Sequence, residues 1–153
     1  MRKEELAMQF DLLSRLLKVI RDNPFKVRTY EFAARIIRSN LPEGRLSDGD
    51  ITKLLEIRGI GKAVVDKSLE YLQKGEISKV CEISDEMPSP IYLLTSHNLV
   101  DAEVISFMWK DMAIVEPQEI ISFLTSRKES LKLSSDRLSE IEALLEDLKA
   151  SEN

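Results

Sequence analysis

Apolar residues recur every three or four positions along most of the chain, which is the spacing of amphipathic helices. The clearest case is residues 3–22, where five apolar side chains share one stripe: Leu6, Phe10, Leu13, Leu17 and Ile20. Asn23-Pro24 is expected to end this helix. Similar spacing predicts further helices over 25–39, 50–58, 62–74, 77–83, 91–96, 101–111, 118–127 and 135–149. No stretch predicts a strand, so the expected fold class is all-α: a small helical bundle followed by a second helical subdomain.

Several residues mark where these helices begin and end. Asp48 or Asp50 fits the N-cap of the third helix, which is expected to stop at Gly59. Gly75 stands where a C-terminal cap glycine belongs, after the fourth helix. Ser135 fits the N-cap of the last helix.

Charge is distributed unevenly along the chain. The whole sequence carries 22 Lys+Arg against 27 Asp+Glu, a net charge of −5, which argues against a generic nucleic-acid binder. Residues 1–84 hold 16 Lys+Arg and 13 Asp+Glu, whereas residues 85–153 hold 6 and 14, giving net charges of +3 and −8. The polar segment 84–90, SDEMPSP, holds two prolines at this boundary. We therefore predict two domains, 1–84 and 85–153, with different functions.

The remaining composition favours a cytoplasmic protein. Cys81 is the only cysteine, so no internal disulfide can form, and a reducing compartment is expected. The N-terminal residues contain no apolar signal segment, and no apolar run approaches the roughly 20 residues that a membrane span needs. His97 and Cys81 are isolated from other metal-binding residues, so the sequence predicts no zinc site.

Residues 55–72, LEIRGIGKAVVDKSLEYL, place two glycines between two predicted helices. A bend at Gly59-Ile60-Gly61 lets the backbone turn without a Cβ clash and exposes the amides that open the next helix. Those amides and the helix dipole form a site for phosphate, and Lys62 adds a positive charge. Such binding would be sequence-independent and salt-sensitive. On spacing alone, a plain tight turn between packed helices is an equal alternative.

Four short motifs, in order, carry a resemblance to a known family. They are NPFKVRTY at 23–30, IRGIGK at 57–62, VDK at 65–67 and YLQKG at 71–75. The second of these resembles a helix-hairpin-helix motif. Together the four resemble the N-terminal domain of family X DNA polymerases, over about residues 5–84.

The hairpin and the resemblance together predict a set of DNA-contacting residues: Gly59, Ile60, Gly61, Lys62, Arg58, Lys26, Arg28, Tyr30 and Lys79. Arg58 stands where the usual hairpin has proline, and this departure adds a cation beside the phosphate site. In the family, carbonyls of the hairpin often hold a monovalent metal ion. The resemblance therefore implies a Na⁺ or K⁺ ion at the carbonyls of Ile57, Gly59 and Gly61, and no other cofactor.

In animal polymerases of this family, the domain is a lyase whose lysine forms a Schiff base with the sugar left at an abasic site. The aligned glycines place Lys67 on that lysine, so the resemblance makes Lys67 the candidate catalytic residue. Lys26, Tyr30 and Lys79 fall on positions that surround the sugar phosphate. Another family lysine falls on Ala63, so this pocket has one cation fewer. The alternative is that Lys67 is a solvated surface lysine.

The acidic half resembles a second hairpin subdomain of the same family that has lost its glycines. The expected pair falls on Asn98-Leu99-Val100, so no phosphate-binding turn is predicted there. Its charge should keep this half away from the DNA backbone, and it is predicted to act as a packing platform or to bind a basic protein partner. Trp109 is predicted to lie in the core.

Three functions therefore stand as hypotheses. The first is a non-catalytic, sequence-independent DNA-binding module that grips backbone phosphate in DNA repair. The second is a 5′-deoxyribose-phosphate or abasic-site lyase that uses Lys67. The third is a helical protein-interaction adaptor in which the hairpin is inherited scaffold. No membrane partner is predicted, and without the paired Asp-x-Asp of a nucleotidyl transferase no polymerase activity is expected.

Overall fold

A computed structural model describes residues 1–152, and within this range the chain forms helices and turns without a strand. The all-α fold class is thereby confirmed. Contacts divide the chain into two compact units, the first comprising Met1–Glu86 and the second beginning at Met87. Across the described residues, no helix combines the length and the apolar character needed to cross a lipid bilayer.

The first unit packs its helices around an apolar core. Its helices are α1 (Lys3–Val19), α2 (Pro24–Asn40), α3 (Asp48–Thr52), a 3-10 helix (Lys53–Glu56), α4 (Lys62–Lys74) and α5 (Ser78–Asp85). The predicted apolar stripes face inward, and the fully buried side chains include Leu6, Phe10, Leu13, Leu16, Ile37, Ile51 and Val64. The most extensive helix–helix contact within this unit joins α1 and α2.

The first helix is shorter than its apolar stripe predicts. It ends at Val19 because Arg21 adopts the left-handed conformation, with φ of 60°. The N–H of Asp22 then donates to the Leu17 carbonyl at 2.9 Å, which closes a Schellman-type cap. The chain therefore turns before Asn23-Pro24, and Pro24 opens α2 at a position where its missing N–H costs nothing.

The third helix begins differently from the prediction, because Ser47 is its N-cap. Ser47 Oγ accepts from the Asp50 N–H at 3.2 Å, and the Asp50 carboxylate accepts from the Ser47 N–H at 2.9 Å. The assignment of Asp48 or Asp50 as the cap is therefore wrong, since Asp50 is the third-position partner of a capping box. The α conformation stops at Thr52 and tightens into the 3-10 helix, so no continuous α-helix reaches Gly59.

The second unit also consists of helices over its described residues. They are α6 (Ser89–Ser96), α7 (Ala102–Ser106), a π-helical turn (Phe107–Asp111), α8 (Pro117–Ser126) and α9 (Ser135–Glu152). The helix predicted over 101–111 is thus an α-helix only in its first half. Met108 is fully buried, whereas Trp109 is partly exposed with Lys110 Nζ 3.8 Å from its ring centroid, so the prediction of a core tryptophan is wrong.

The last helix is capped by the serine before the predicted one. Ser134 Oγ accepts from the Arg137 N–H at 3.0 Å, and the Ser134 carbonyl accepts from the Leu138 N–H at 3.0 Å. Ser135 is the first helical residue, so its assignment as the N-cap is off by one position.

The turn between α6 and α7 lies where a second hairpin was expected, and protein groups fill it. Asn98 takes the left-handed conformation with φ of 52°, and the Leu99 N–H donates to the Leu94 carbonyl at 3.2 Å. The side chains of Leu99 and Val100 are buried. Arg137 Nη1 donates to the Leu99 carbonyl at 2.8 Å. These contacts give the turn a packing role.

Candidate nucleic-acid interface

The segment between the 3-10 helix and α4 is a tight bend anchored from inside. The Ile57 N–H donates to the Leu54 carbonyl at 3.0 Å, and the Ile60 N–H donates to the Ile57 carbonyl at 3.1 Å. Ile60 is only 7% exposed, so its side chain fixes the bend to the core. The outer surface of the bend consists of exposed residues: Arg58, Gly59, Gly61 and Lys62.

Gly59 is required by the backbone and by a packing contact. Its φ of 96° lies in the left-handed region, which side chains other than glycine rarely adopt. A Cβ atom added at Gly59 would lie 2.9 Å from Cε1 of Phe32 on α2. The bend and α2 therefore approach each other closely at this glycine.

Gly61 has a different role, because its backbone is extended, with φ of −103° and ψ of 179°. Any residue can adopt this conformation, and a Cβ atom at Gly61 would meet nothing within 4 Å. Gly61 is the N-cap of α4, where no side chain caps the helix and no acidic residue lies in the first turn. The N–H groups of that turn lack intrahelical partners. Glycine at this position leaves the approach to them open.

Lys67 and Tyr30 are brought together across α4 and α2. Lys67 Nζ lies 5.5 Å from the centroid of the Tyr30 ring, within the range of a cation–π contact. Tyr30 is 8% exposed and stacks on Phe10, with ring centroids 5.7 Å apart. The core thus supports the ring beneath the predicted catalytic lysine.

Lys26 on α2 pairs with the carboxylate of Asp22, and the charge of Lys79 on α5 also acts on that carboxylate. Lys26 Nζ lies 3.6 Å from this carboxylate. The N–H of Asn23, which donates to the carboxylate at 2.6 Å, is the largest cause that lowers the pKa of Asp22, and the charges of Lys26 and Lys79 lower it further. Exposed ion pairs of this kind contribute about 0–1 kcal/mol. Lys79 Nζ lies 4.0 Å from the Glu82 carboxylate, so each of the two lysines has an ion pair of this weak kind.

Glu70 lies three residues after Lys67 on α4, and its carboxylate is hydrogen-bonded to α5. Its carboxylate accepts from both the N–H and the hydroxyl of Ser78, the first residue of α5. The Ser78 hydroxyl and N–H hold the pKa of Glu70 below its usual value, and the charges of Lys74 and Lys67 lower it further. Glu70 is thus an anion at neutral pH that fixes α5, and with it Lys79, against α4.

Arg28 lies on a different face of α2 from the other predicted contacts. Each helical residue turns the chain by about 100°, so a separation of two residues from Lys26 and Tyr30 places Arg28 far around the helix. It shares its face with Phe32 and Arg35, at spacings of four and seven. Phe32 and Arg35 are absent from the DNA-contacting residues predicted from the sequence. An aromatic residue between two arginines on a polar helix face is the sequence pattern that could have pointed to them.

The predicted ion ligands are backbone carbonyls within or next to the bend. The Ile57 carbonyl accepts from the Ile60 N–H, and the Gly61 carbonyl accepts from the Val65 N–H at 3.5 Å. Each carbonyl oxygen has a second lone pair, and hard cations prefer oxygen donors, so the chemistry of the donors fits Na⁺ or K⁺. The ion stays a prediction. Within residues 1–152, no group of three His, Cys, Asp or Glu residues could hold a metal.

A family model described as a helix-hairpin-helix domain matches residues 1–77, half of the chain. The chain therefore belongs to the helix-hairpin-helix family. The resemblance of residues 57–62 to a helix-hairpin-helix motif is confirmed.

The chain is similar to the DNA polymerase/3′-5′ exonuclease PolX of Bacillus subtilis (strain 168). It is 22% identical to this chain over 120 residues, which cover 78% of this chain. The chain spans only 20% of the length of that relative. Family membership and this relationship together indicate nucleic-acid binding in a DNA-related role.

Proposed function

We propose that the first unit binds the sugar–phosphate backbone of DNA, without sequence preference, at the start of α4, and that it does so in DNA repair. The observation that carries the proposal is the uncapped N-terminus of α4, which faces open space at Gly61. Amide groups and the helix dipole favour an anion there. The same phosphate occurs in every sequence, so contacts of this kind position the protein without reading bases.

The charges around the bend support this proposal. Lys62 follows Gly61 directly, Arg58 precedes Gly59, and both side chains are exposed. The ring of Tyr30 lies under Lys67, and the charges of Lys26 and Lys79 both act on Asp22 in the same unit. A polymerase relative makes a DNA substrate with a gap or a nick a reasonable preference to test.

Lys62→Glu is expected to weaken binding to a random-sequence duplex roughly 10- to 100-fold at low salt. The substitution removes a charge-assisted contact and places an anion beside the phosphate, and each 1.4 kcal/mol corresponds to a factor of ten. The measurement is fluorescence anisotropy with intact, nicked, gapped and abasic duplexes at several salt concentrations. The slope of log affinity against log salt should become shallower by about 1 for the lysine that is lost.

Lys74→Glu is the matched control, because it makes the same charge change on the same helix. Twelve residues separate the two lysines, or about 18 Å along the helix axis. If Lys74→Glu weakens binding as much as Lys62→Glu, overall charge explains the effect and the hairpin site is wrong. If the unaltered protein does not bind DNA at low salt, the DNA-binding hypothesis is wrong and the adaptor hypothesis is left.

The second candidate function, an abasic-site lyase, is favoured by the contact between Lys67 and Tyr30. A lyase needs an amine held in a fixed position near the sugar phosphate, from which its neutral form can attack the C1′ carbonyl. Lys67 Nζ is placed over a buried ring, in the unit that also carries Lys26 and Lys79. Ala63, one turn before Lys67, is exposed and supplies no cation.

Borohydride reduction with incised abasic DNA is expected to trap a covalent adduct if the lyase is active. Hydride converts the imine between Lys67 Nζ and the sugar C1′ into a stable amine. Lys67→Ala should abolish the adduct, whereas Lys74→Ala should leave it intact. An adduct that survives Lys67→Ala would assign the chemistry to another amine. No adduct with the unaltered protein would leave DNA binding as the function of this site.

The third candidate, a protein-interaction adaptor, is favoured by a groove in the acidic second unit. The groove has a volume of about 450 Å³. Its lining includes Met112, Ile114, Glu119, Phe123 and Arg127. Met112 is 46% exposed, and Phe107, whose ring centroid lies 6.2 Å from that of Phe123, is 43% exposed. Exposed apolar side chains of this size are typical of contact surfaces. The excess of acidic residues favours a basic partner.

A further inference from the structure

The outer face of α2 carries a short row of cations next to the bend. Arg28, Phe32 and Arg35 occupy positions i, i+4 and i+7, so they share one side of the helix. Both arginines are exposed, whereas Phe32 is half-buried. A Cβ at Gly59 would lie 2.9 Å from the Phe32 ring, which means that this row directly adjoins the hairpin.

Arg28 and Arg35 differ from Arg38, the next arginine on α2, in their lack of counter-charges. Arg38 binds the carboxylates of Glu4 and Asp11 at 2.9 and 2.8 Å, and is therefore engaged within the protein. In the part of the chain that the structure describes, Arg28, Arg35 and Arg58 have no carboxylate within 4.0 Å. Arg35 instead lies over the Phe32 ring, 5.8 Å from its centroid.

We propose that Arg28 and Arg35 form a second phosphate-binding row, which contacts the opposite strand of a DNA duplex whose first strand is held at the start of α4. The inference rests on the proposed function and adds a second strand to it. Planar guanidinium groups suit phosphate because they donate two parallel hydrogen bonds.

Helix geometry makes a two-strand contact feasible. DNA grooves are about 6–12 Å wide, and the close approach of Phe32 on α2 to Gly59 at the bend brings the two rows near enough to reach phosphates on both sides of one groove. Arg28 and Arg35 are seven residues apart, or about 10.5 Å along the axis, which matches roughly three base steps of 3.4 Å. The contact between Phe32 and Gly59 holds the two rows at a fixed separation.

The test compares duplex with single-stranded DNA of equal length. The double variant Arg28→Gln/Arg35→Gln is expected to bind the duplex roughly tenfold more weakly, and the salt slope for duplex should fall by about 1.8. Binding to the single strand should stay within about twofold, because one strand at the hairpin does not engage the second row. Lys62→Glu should weaken binding to both substrates. Arg28→Lys/Arg35→Lys, which keeps the charge, should retain most of the duplex affinity.

Arg2→Gln/Arg45→Gln is the control, because it removes the same charge from exposed positions. These residues lie where the Leu46 N–H donates to the Met1 carbonyl at 2.9 Å. Equal losses on single strand and duplex, or equal losses in the control, would overturn the second row. If Lys62→Glu weakens binding while Arg28→Gln/Arg35→Gln does not, only the second row fails. If neither variant changes binding, the proposed hairpin function fails too.

Discussion

Phe10→Ala is expected to lower the free energy of unfolding of the first unit by about 3–5 kcal/mol, the range for removing a large aromatic side chain from a core. Phe10 is 0% exposed and stacks on Tyr30, so its loss leaves a cavity beneath the Tyr30 ring. Urea unfolding followed by far-UV circular dichroism, with native-state hydrogen exchange of α1 and α2 amides, measures the change. The ring under Lys67 then loses its support, so DNA affinity should fall as well.

The control for this substitution is Phe25→Ala, which removes the same side chain from the surface. Phe25 is 66% exposed, and surface substitutions usually change stability by less than about 0.5 kcal/mol. Similar losses for the two variants would mean that Phe10 does not hold the core as the structure indicates.

Gly59→Ala is expected to destabilise the first unit by about 1–3 kcal/mol, whereas Gly61→Ala should cost less than about 1 kcal/mol. The φ of 96° at Gly59 strains any Cβ, and the added atom also meets Phe32. Gly61 has extended backbone and open space, so its substitution should reduce DNA binding more than folding. Thermal unfolding and anisotropy on the same samples separate the two effects.

A double-mutant cycle tests the assigned contact. If Phe32 limits the space at Gly59, adding Phe32→Ala should make the combined loss smaller than the sum of the single losses. If the losses of unfolding free energy are additive, the destabilisation by Gly59→Ala comes entirely from the strained backbone conformation. Equal destabilisation by the two glycine variants would contradict the division of roles between them.

The parts of the fold that could be predicted best from the sequence are those set by interactions between residues close together in the chain. The bounds of α4, Lys62–Lys74, follow from glycines at both ends, and Gly75 does adopt the left-handed cap, with φ of 76°. The end of α1 could not be read in this way, because a non-glycine residue, Arg21, takes the left-handed conformation. The start of α3 required a choice among neighbouring caps, which the reciprocal bonds between Ser47 and Asp50 decide.

The candidate site was predictable where its residues are contiguous and unpredictable where they meet across helices. The bend at 57–62 could be recognised from spacing alone. The contact of Phe32 with Gly59 and the bonds of Glu70 to Ser78 depend on tertiary packing, which no local pattern encodes. In the second unit, the continuous apolar spacing over 101–111 conceals a change from α to π geometry at Phe107.

The Arg137 guanidinium donates a hydrogen bond to the Leu99 carbonyl, so the turn between α6 and α7 in the second unit has a positively charged side chain beside its backbone. The Arg137 guanidinium thus occupies, at this turn, the place that a dissolved potassium or sodium ion would take beside a carbonyl oxygen. If the predicted Na⁺ or K⁺ ion binds at the carbonyls of Ile57, Gly59 and Gly61, melting of the first unit, and not of the second, should differ between potassium chloride and choline chloride at equal ionic strength.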